Sequence, residues 1–359
     1  MQLRRIAPVA GAAVMVVVSS IAVATAGAVA TQAKVKTAAC PLATAADPGN
    51  STAPASIPVS RSAPKLAKKS SYRVAFSQNA SNNPWRLAET ASMKAEAKRL
   101  GIKLTVTDAN NSQSKQIEDI KSLIAQKPDA LFIAPITEQL ANVVKQAGQA
   151  GIPVFLLDRD VDHKVAVPGK DYVTVIQSDF IREGDRAAVA MAHATSGNAK
   201  ILELEGTTGA SPAIDRKKGF DSAVQACPGL SILASQDGDF NRATGQKVAE
   251  TLLQAHPDAT AIYAHNDEMA LGAIAALKAL GKTPGKDVQI VSIDGEKDGL
   301  KAVAAGDLYT TVECNPRFGP KAFATMLAYA SGKPVKVKIV NSDKLFNSTN
   351  AKANVAKAY

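Results

Sequence analysis

The sequence has few of the residues on which metal sites and disulfide frameworks depend. Its 359 residues include three cysteines and four histidines, and no two histidines lie at the short spacing of a metal-binding pair. Three cysteines do not make a disulfide framework, and no pattern of ligand spacing indicates zinc. We therefore expect no metal and no cofactor.

The common catalytic motifs are also missing. The sequence has no Gly-x-Ser-x-Gly, Walker loop or His-Glu-x-x-His. Gly206-Thr-Thr-Gly209 resembles part of a dinucleotide loop but lacks its third glycine, which favours a tight strand-to-helix turn. Asp158 with Asp294 or Glu313 could form a carboxylate pair for glycoside cleavage, but arginines close to these acids would keep them ionised. We expect a protein that is not an enzyme.

Charge and aromatic content narrow the class of ligand. The formal net charge is +10, yet the basic residues are dispersed, apart from short clusters such as Arg216-Lys-Lys218. Without a clustered basic stripe or a known DNA-reading motif, nucleic acid is not an expected partner. Aromatic residues make up only 4% of the chain, and Trp85 is its one tryptophan. Because aromatic residues are scarce, one that lies beside a candidate site is a useful indicator of ligand binding.

An alternation of strands and helices fills most of the chain. The run from Ile152 to Leu157 is apolar throughout, as expected for a strand that is buried on both faces of a parallel sheet, and it ends abruptly at Asp158-Arg159. Similar strands end at polar or acidic residues along the chain. Ligands bind beyond the carboxyl ends of such strands. The pattern predicts an α/β protein with two doubly wound parallel sheets.

The chain length suits two domains that follow an N-terminal leader. Residues 1–30 contain Arg4-Arg5, a long Ala/Val run and an Ala-x-Ala pattern, typical of a secretion signal; an uncleaved membrane anchor is the alternative. Residues 31–71 lack apolar periodicity and predict a flexible tether. Within it, Cys40 could carry a lipid, but polar residues separate it from the apolar run.

The folded part begins at Tyr72 and is predicted to form two lobes. Residues 72–178 with 314–338 are expected in the first lobe, and residues 179–313 with 339–359 in the second. This assignment requires several crossings of the chain between the lobes. A ligand is expected in the cleft beyond the carboxyl ends of the strands.

Two aromatic residues lie among polar groups that could face this cleft. Trp85 stands beside Arg86 at a predicted helix start, and Phe240 lies in a polar loop that gives no other reason for a ring. Carboxylates, amides and arginine forks hydrogen-bond hydroxyls, while a ring covers the C–H face of a sugar. The combination favours sugar binding, although core packing is the alternative for each ring taken singly.

Several motifs resemble those of the periplasmic ribose- and galactose-type sugar-binding proteins, the type I solute receptors of ABC importers. They are Asn82-Asn-Pro-Trp85, Ile152 to Arg159, Gly219-Phe220, Ala264 to Gly272 and Ser292-Ile-Asp-Gly295. Within that family the chain is most similar to galactofuranose-binding receptors. The resemblance implies a protein exported to the periplasm or to the outer face of the membrane. It also implies a monosaccharide ligand, a membrane permease as partner and a monomer in solution.

Carried over by position, the resemblance implies a set of ligand contacts. The predicted set is Asn83, Trp85, Arg86, Glu89, Asp158, Arg159, Asp215, Arg216, Phe240, Asn266, Asp294 and Glu313. Two places depart from the ribose-binding pattern: Ile214 precedes Asp215-Arg216 where an arginine is expected, and Glu313-Cys314-Asn315 replaces a glutamine region. A sugar other than ribose is therefore expected. A sugar-sensing receptor for a signalling partner and an exported glycosidase are the alternatives.

Overall fold

The computed structural model describes residues 39–50 and 57–359. The β-strands of the described part are β1 Arg73–Gln78, β2 Lys103–Asp108, β3 Ala130–Ile133, β4 Val154–Leu157, β5 Thr174–Gln177, β6 Ala199–Glu205, β7 Leu230–Asp237, β8 Ala261–Ala264, β9 Gln289–Asp294, β10 Thr310–Glu313, β11 Lys338–Val340 and β12 Leu345–Asn347.

Helices alternate with most of these strands. They are α1 Pro84–Arg99, α2 Gln113–Ala125, α3 Ala141–Gln149, α4 Phe180–Ala194, α5 Ser211–Val224, α6 Arg242–Ala255, α7 Asp267–Ala279, α8 Lys297–Ala305, α9 Gly319–Ala330 and α10 Ala351–Asn354. Short 3-10 helices cover Pro41–Thr44, Glu138–Leu140 and Val355–Lys357. No helix within 39–50 and 57–359 is both long and apolar enough to cross a lipid bilayer.

The strands form two sheets, one in each lobe. In the described residues, the first sheet has the order β11-β5-β4-β3-β1-β2 and the second has the order β12-β10-β9-β8-β6-β7. The strands pair in parallel except β12, which runs antiparallel to β10. Helices lie in most of the connections between parallel strands, whereas β4 and β5 are joined by residues 158–173 without a helix. The prediction of an α/β fold with two doubly wound lobes is confirmed.

The apolar run at β4 shows why the first sheet is buried on both faces. Phe155 and Leu157 pack into one apolar cluster, while Val154 and Leu156, which point the opposite way, pack into another. All four side chains are fully buried. Because successive residues of a strand face opposite sides, a strand covered on both sides needs apolar residues at every position.

The chain passes between the lobes through three described segments, residues 178–179, 314–318 and 341–344, which we call the crossing segments. The last of them differs from the prediction, which placed the boundary after residue 338. Lys338–Val340 pairs with β5 of the first lobe, and the next strand, β12, pairs with β10 of the second. The lobe boundary therefore falls after Val340, since backbone pairing with β5 continues to that residue.

The described part of the predicted tether packs against both lobes. Cys40 is disulfide-bonded to Cys227, and Asp47 forms an ion pair with Arg186 of α4 at 2.8 Å. Farther along, Val59 forms a β-bridge with Lys336. A free tether is thus not observed over residues 39–50 and 57–71, and the sulfur of Cys40 is not available for a lipid. The predicted secretion signal, residues 1–30, lies outside the described residues.

Candidate functional site

The carboxyl ends of both sheets face each other across a polar cleft. The residues that line it are Asn83, Trp85, Arg86, Asp158, Arg159, Pro212, Arg216, Phe240, Asn266, Asp294 and Cys314. The free space between them is about 30 Å³ and is partly open to solvent; it holds about two water molecules. A sugar ring therefore requires the lobes or these side chains to move apart, a motion that crossing segments between two lobes allow.

A buried ion-pair chain forms the floor of the cleft in the first lobe. Arg86 Nη2 lies 2.6 Å from Asp158 Oδ2, and Arg86 Nη1 lies 2.9 Å from Glu89 Oε2. Gln78 Nε2 donates a hydrogen bond to the same Glu89 oxygen at 2.9 Å. Although burial opposes the charge, these two carboxylates raise the pKa of Arg86. The Arg86 guanidinium is thus a cation whose orientation is fixed by Asp158 and Glu89.

Arg159 connects the first lobe to the aromatic wall of the second. Its Nη1 donates to the carbonyl of Ile136 at 2.7 Å, and its Nε, 3.7 Å from Asp158 Oδ2, makes no hydrogen bond within the described structure. Its guanidinium carbon lies 5.3 Å from the centre of the Phe240 ring. Burial, with the nearby Arg86 charge, lowers the pKa of Arg159 to about 9. An unused N–H on a buried guanidinium is a donor that a ligand hydroxyl can satisfy.

Phe240 fits the cleft because Gly206 has no side chain. A Cβ at position 206 would lie 1.9 Å from an atom of the Phe240 ring. Phe240 itself has a φ of 51° and lies two residues before the start of helix α6. The glycine-rich turn after β6 therefore makes room for the ring, and no phosphate cradle is needed to explain Gly206. This agrees with the tight-turn interpretation of Gly206-Thr-Thr-Gly209.

Arg216 supplies the second lobe with a buried cation. Its Nε lies 2.8 Å from Glu183 Oε2, its Nη1 donates to the carbonyl of His265 at 2.6 Å, and its Nη2 lies 3.6 Å from Asp294 Oδ1. Burial opposes the charge, but the carboxylate of Glu183 raises the pKa of Arg216 well above its usual value. Burial also raises the pKa of Asp294.

Two asparagines place the starts of helices at the cleft. The side chain of Asn83 caps α1 by accepting the backbone N–H of Arg86 at 2.9 Å. Asn266 caps α7 by accepting from Met269 N at 3.0 Å, and its amide donates to the carbonyl of Phe240 at 3.2 Å. Such caps fix the first helical turn, so the neighbouring Trp85 and Arg86 are held in place.

Trp85 is anchored from across the cleft. Its indole N–H donates to the carbonyl of Cys314, in the crossing segment 314–318, at 2.7 Å. The Arg86 guanidinium carbon lies 4.4 Å from its ring centre, and the Phe318 ring centre lies 6.0 Å away. The indole therefore connects the first lobe to a crossing segment, where lobe movement would alter its surroundings.

Three residues of the predicted ligand set lie outside the cleft lining. Glu89 is fully buried behind Arg86. Asp215 is half-buried among charges that include Lys338 and Lys218. Glu313 accepts from Lys344 N at 2.9 Å and from Asn315 Nδ2 at 3.1 Å, so its carboxylate joins two crossing segments. Glu89 acts on the cleft through Arg86, and the structure places the other two away from it.

The structure also adds lining residues that sequence reasoning did not select. Pro212 lies at the N-terminus of α5, and the buried thiol of Cys314 faces Ser178 at 3.6 Å. Glu183, the partner of Arg216, lies in α4 and carried no motif. Its only sequence signal was an acid in the first turn of a helix, which is common for electrostatic reasons alone.

A second buried network supports the wall formed by Arg216 and Phe240. His265 Nδ1 accepts the Gly206 N–H at 3.3 Å, and His265 Nε2 lies 3.0 Å from Glu203 Oε1. Glu203 also accepts from Lys217 and Ser235. Because Nδ1 accepts, Nε2 carries the proton and donates to the carboxylate. The ring is thereby held between the backbone of the Gly206 turn and Glu203.

The Glu203 network predicts a loss of stability in acid. Burial opposes ionisation, but hydrogen bonds from His265, Lys217 and Ser235 outweigh it and lower the pKa of Glu203 from 4.5 to about 2. A lowered folded-state pKa gives stabilisation that is complete above pH 4.5 and is lost as the pH falls toward 2. Urea unfolding across this range should reveal a loss of about 3 kcal/mol from this group.

The matched variant for that measurement is Glu203→Gln. It should be less stable than the parent at pH 7, and its stability should fall less between pH 4.5 and 2. If the two proteins lost stability in parallel over that range, the ionised Glu203 would not be the source.

Hydrogen bonds also join the lobes at the mouth of the cleft. Asn111 Nδ2 donates to Asp239 Oδ2 at 3.0 Å, Asp160 N donates to Ser211 Oγ at 2.9 Å, and Glu138 N donates to the carbonyl of Gly209 at 3.0 Å. In each pair the first residue belongs to the first lobe. These contacts stabilise lobe closure without using the polar groups of the cleft floor.

No metal chemistry is evident in the residues described. Over 39–50 and 57–359, no group of three or more histidine, cysteine, aspartate or glutamate side chains is arranged to hold a metal ion. The acids of the cleft are instead directed at arginines, which occupy their lone pairs. The arrangement suits hydrogen bonding to a neutral polar ligand.

Comparisons with known proteins agree with this geometry. The galactofuranose-binding protein YtfQ of Escherichia coli (strain K12) is 38% identical over 305 residues, covering 83% of this chain and 95% of the relative. A crystal structure of a galactofuranose-binding protein superposes with a TM-score of 0.77 at 39% identity, covering 80% of this chain and 98% of that one. The arabinose-transporter binding component from Shewanella sp. ANA-3, bound to L-arabinofuranose, gives 0.75 at 41%, covering 79% and 95%.

The relatives are binding proteins and not enzymes, which confirms the prediction of a non-enzymatic protein. The resemblance drawn from the sequence motifs is confirmed as well. A family profile described as a periplasmic binding protein domain matches residues 74–334. The chain therefore belongs to the periplasmic binding protein family.

Proposed function

We propose that this protein is the extracytoplasmic sugar-binding subunit of an ABC importer and that it captures a monosaccharide in its furanose ring form. Membership of the periplasmic binding protein family supports the location and the class of function. The names of its relatives support the ligand class, since they bind galactofuranose and arabinofuranose.

The observation that carries the proposal is the pairing of charges in the cleft. Arg86 is matched by Asp158 and Glu89, and Arg216 by Glu183 and Asp294. These pairs present hydrogen-bond donors and acceptors side by side. A sugar hydroxyl is both donor and acceptor, so it can bridge such a pair.

Two rings cover the remaining sides of the cleft. Trp85 belongs to the first lobe and Phe240 to the second, and both are buried. A sugar ring offers C–H groups on its faces, and these pack against aromatic rings while the hydroxyls meet the polar residues. We expect direct contacts from Asn83, Trp85, Arg86, Asp158, Arg159, Arg216, Phe240, Asn266 and Asp294.

Capture follows from contacts that only the closed arrangement provides. A ligand shifts a two-state equilibrium by the difference between its affinities for the two states. A sugar held by Arg86 and Asp158 on one side and by Arg216 and Asp294 on the other gains its full set of contacts only when both lobes close. The closed, loaded protein would then be recognised by the membrane permease. We further propose that the protein acts as a monomer and that residues 1–30 direct its export or anchor it.

Calorimetric titration of residues 39–359 against galactose, arabinose, ribose, fructose and galacturonic acid tests the proposal. We expect saturable one-site binding to at least one neutral sugar and weaker binding to the uronic acid, since the cleft arginines already have acidic partners. Failure of every neutral sugar to bind would contradict a monosaccharide receptor, and preference for galacturonic acid would contradict the assignment of a neutral ligand.

The ring form is tested separately with a sugar labelled with ¹³C at its anomeric carbon. The furanose and pyranose forms give distinct anomeric signals, so the spectrum of the bound fraction identifies the form directly. We expect the furanose signals to be enriched on the protein relative to free solution. Selective retention of the pyranose signals would contradict the furanose assignment while leaving sugar binding intact.

A further inference from the structure

Asp294 has a backbone conformation that residues with side chains rarely adopt. Its φ is 129°, and the following Gly295 has a φ of 74°. Such a conformation is costly and persists only where the surroundings hold it. The peptide must therefore be fixed from outside if the Asp294 carboxylate is to face the cleft.

Two donors fix the carbonyl oxygen of Asp294. The backbone N–H of Cys314, in the crossing segment 314–318, donates to it at 3.0 Å. The phenolic hydroxyl of Tyr359 donates to the same oxygen, also at 3.0 Å. Tyr359 lies far from Asp294 in sequence and was not selected by any sequence motif. Its hydroxyl thus contacts the backbone of Asp294, whose side chain lines the cleft.

The rest of Tyr359 is anchored to two other parts of the second half of the chain. Its carbonyl oxygen accepts from Lys297 N, at the start of α8, at 3.0 Å. Its ring centre lies 5.8 Å from the guanidinium carbon of Arg317, which also donates to the carbonyl of Lys357 at 3.0 Å. Because Arg317 belongs to the crossing segment 314–318, the C-terminal residues join that segment to the Asp294 turn.

We propose that Tyr359 is a positioning residue for ligand capture. Its hydroxyl holds the strained Asp294 peptide so that the carboxylate keeps its place beside Arg216, 3.6 Å away. This proposal rests on the proposed sugar-binding function, because Asp294 is one of the residues expected to contact the sugar. Tyr359 is not among the residues that line the cleft, so its role would be exerted through Asp294.

Tyr359→Phe tests the proposal because it removes the hydroxyl and keeps the ring against Arg317. We expect the Kd for the bound sugar to rise by about 3- to 10-fold, the range for one lost neutral hydrogen bond. The fluorescence of Trp85, the one tryptophan, follows binding. The thermal midpoint should stay close to the parent's, whereas a purely structural role would lower the midpoint and leave affinity unchanged.

The matched control is Tyr309→Phe, which removes a hydroxyl from a tyrosine that is 39% exposed and does not line the cleft. It should leave both affinity and midpoint unchanged. An equal loss of affinity in both variants would contradict a specific role for Tyr359, as would an unchanged Kd in Tyr359→Phe.

Hydrogen exchange gives a readout that needs no sugar. In Tyr359→Phe, the amides of residues 293–297 and Cys314 should exchange faster than in the parent, because the Asp294 peptide has lost one of its two donors. Unchanged exchange there would overturn the positioning role. If the parent bound no sugar, the proposed function would fail, and the exchange result would still decide whether Tyr359 fixes Asp294.

Discussion

Replacing Asp158 by asparagine is expected to weaken sugar binding by roughly 30-fold or more, the effect of removing one partner from a buried charged contact, about 2 to 5 kcal/mol. Asp158 is 3% exposed and lies at the end of β4. Its carboxylate is 2.6 Å from Arg86 and 3.7 Å from Arg159. The variant leaves both cations short of a partner at the point where a sugar hydroxyl would bind.

Asparagine is the substitution that isolates the charge. Asp158 has a φ of 62°, in the left-handed region that asparagine tolerates and alanine does not. Alanine would add backbone strain to the loss of the carboxylate, so its effect could not be assigned to either. Asparagine keeps the size and the backbone while turning one acceptor oxygen into an NH₂ group, which cannot accept from Arg86.

Asp108→Asn is the matched control for this experiment. Asp108 ends β2 of the same sheet, and its carboxylate accepts from Asn110 N at 2.7 Å outside the cleft. Titration calorimetry should give a Kd for this variant within about twofold of the parent's, as for most surface changes. A Kd for Asp158→Asn equal to that of the control would contradict the placement of Asp158 at the ligand.

The fold could be predicted because its signals are local. Strands buried on both faces require apolar residues at every position, as in Val154 to Leu157, and parallel pairing places a helix after most strands. The end of β4 could also be predicted, because the apolar run stops at Asp158. Parallel strands direct their carboxyl ends to one edge, so polar residues at several strand ends were expected to meet there.

Pairings between distant residues could not be predicted in this way. Nothing near Glu183 signals that its carboxylate will meet Arg216 from another helix. Glu313 illustrates the opposite case, since it ends a strand like Asp294 but turns toward Lys344 and Asn315. Which strand-end residue faces the cleft depends on how the crossing segments return, and that geometry is set by the whole fold.

The N-terminal region shows the same limit most clearly. Its composition, rich in Ala, Ser, Thr, Pro and Lys, is typical of a flexible segment. In the structure, Ala63 and Leu66 are nevertheless buried against the first lobe, and Asp47 pairs with Arg186, whose side chain is 4% exposed. Composition shows that this segment cannot form a hydrophobic core of its own. It does not show whether the segment packs against the surface of the folded lobes.

Reduction of the Cys40–Cys227 disulfide is the second change with a large expected effect. The bond closes a loop of 187 residues in the sequence. In the chain-entropy account, a crosslink over such a length restricts the unfolded chain strongly and contributes about 3 to 5 kcal/mol. For a chain of this size, Cys40→Ser with Cys227→Ser should therefore lower the thermal midpoint by roughly 4 to 8 °C.

The first test is to count thiols in the denatured, unreduced protein by alkylation and mass measurement. One cysteine, the buried Cys314, should react before reduction and all three should react afterwards. Three reactive thiols in the unreduced protein would show that the bond does not form. Two further variants then separate its contribution from that of other contacts.

Asp47→Asn removes the nearby ion pair with Arg186 but leaves the crosslink, whereas Cys314→Ser removes a cysteine that is not crosslinked. If the crosslink acts by restricting the unfolded chain, the double serine variant should lose more stability than either of these. The loss should also persist in high salt, which screens a partly exposed ion pair but does not change chain entropy. A midpoint for the double variant equal to the parent's would contradict the entropic contribution, because the closed loop is present in one unfolded chain and absent from the other.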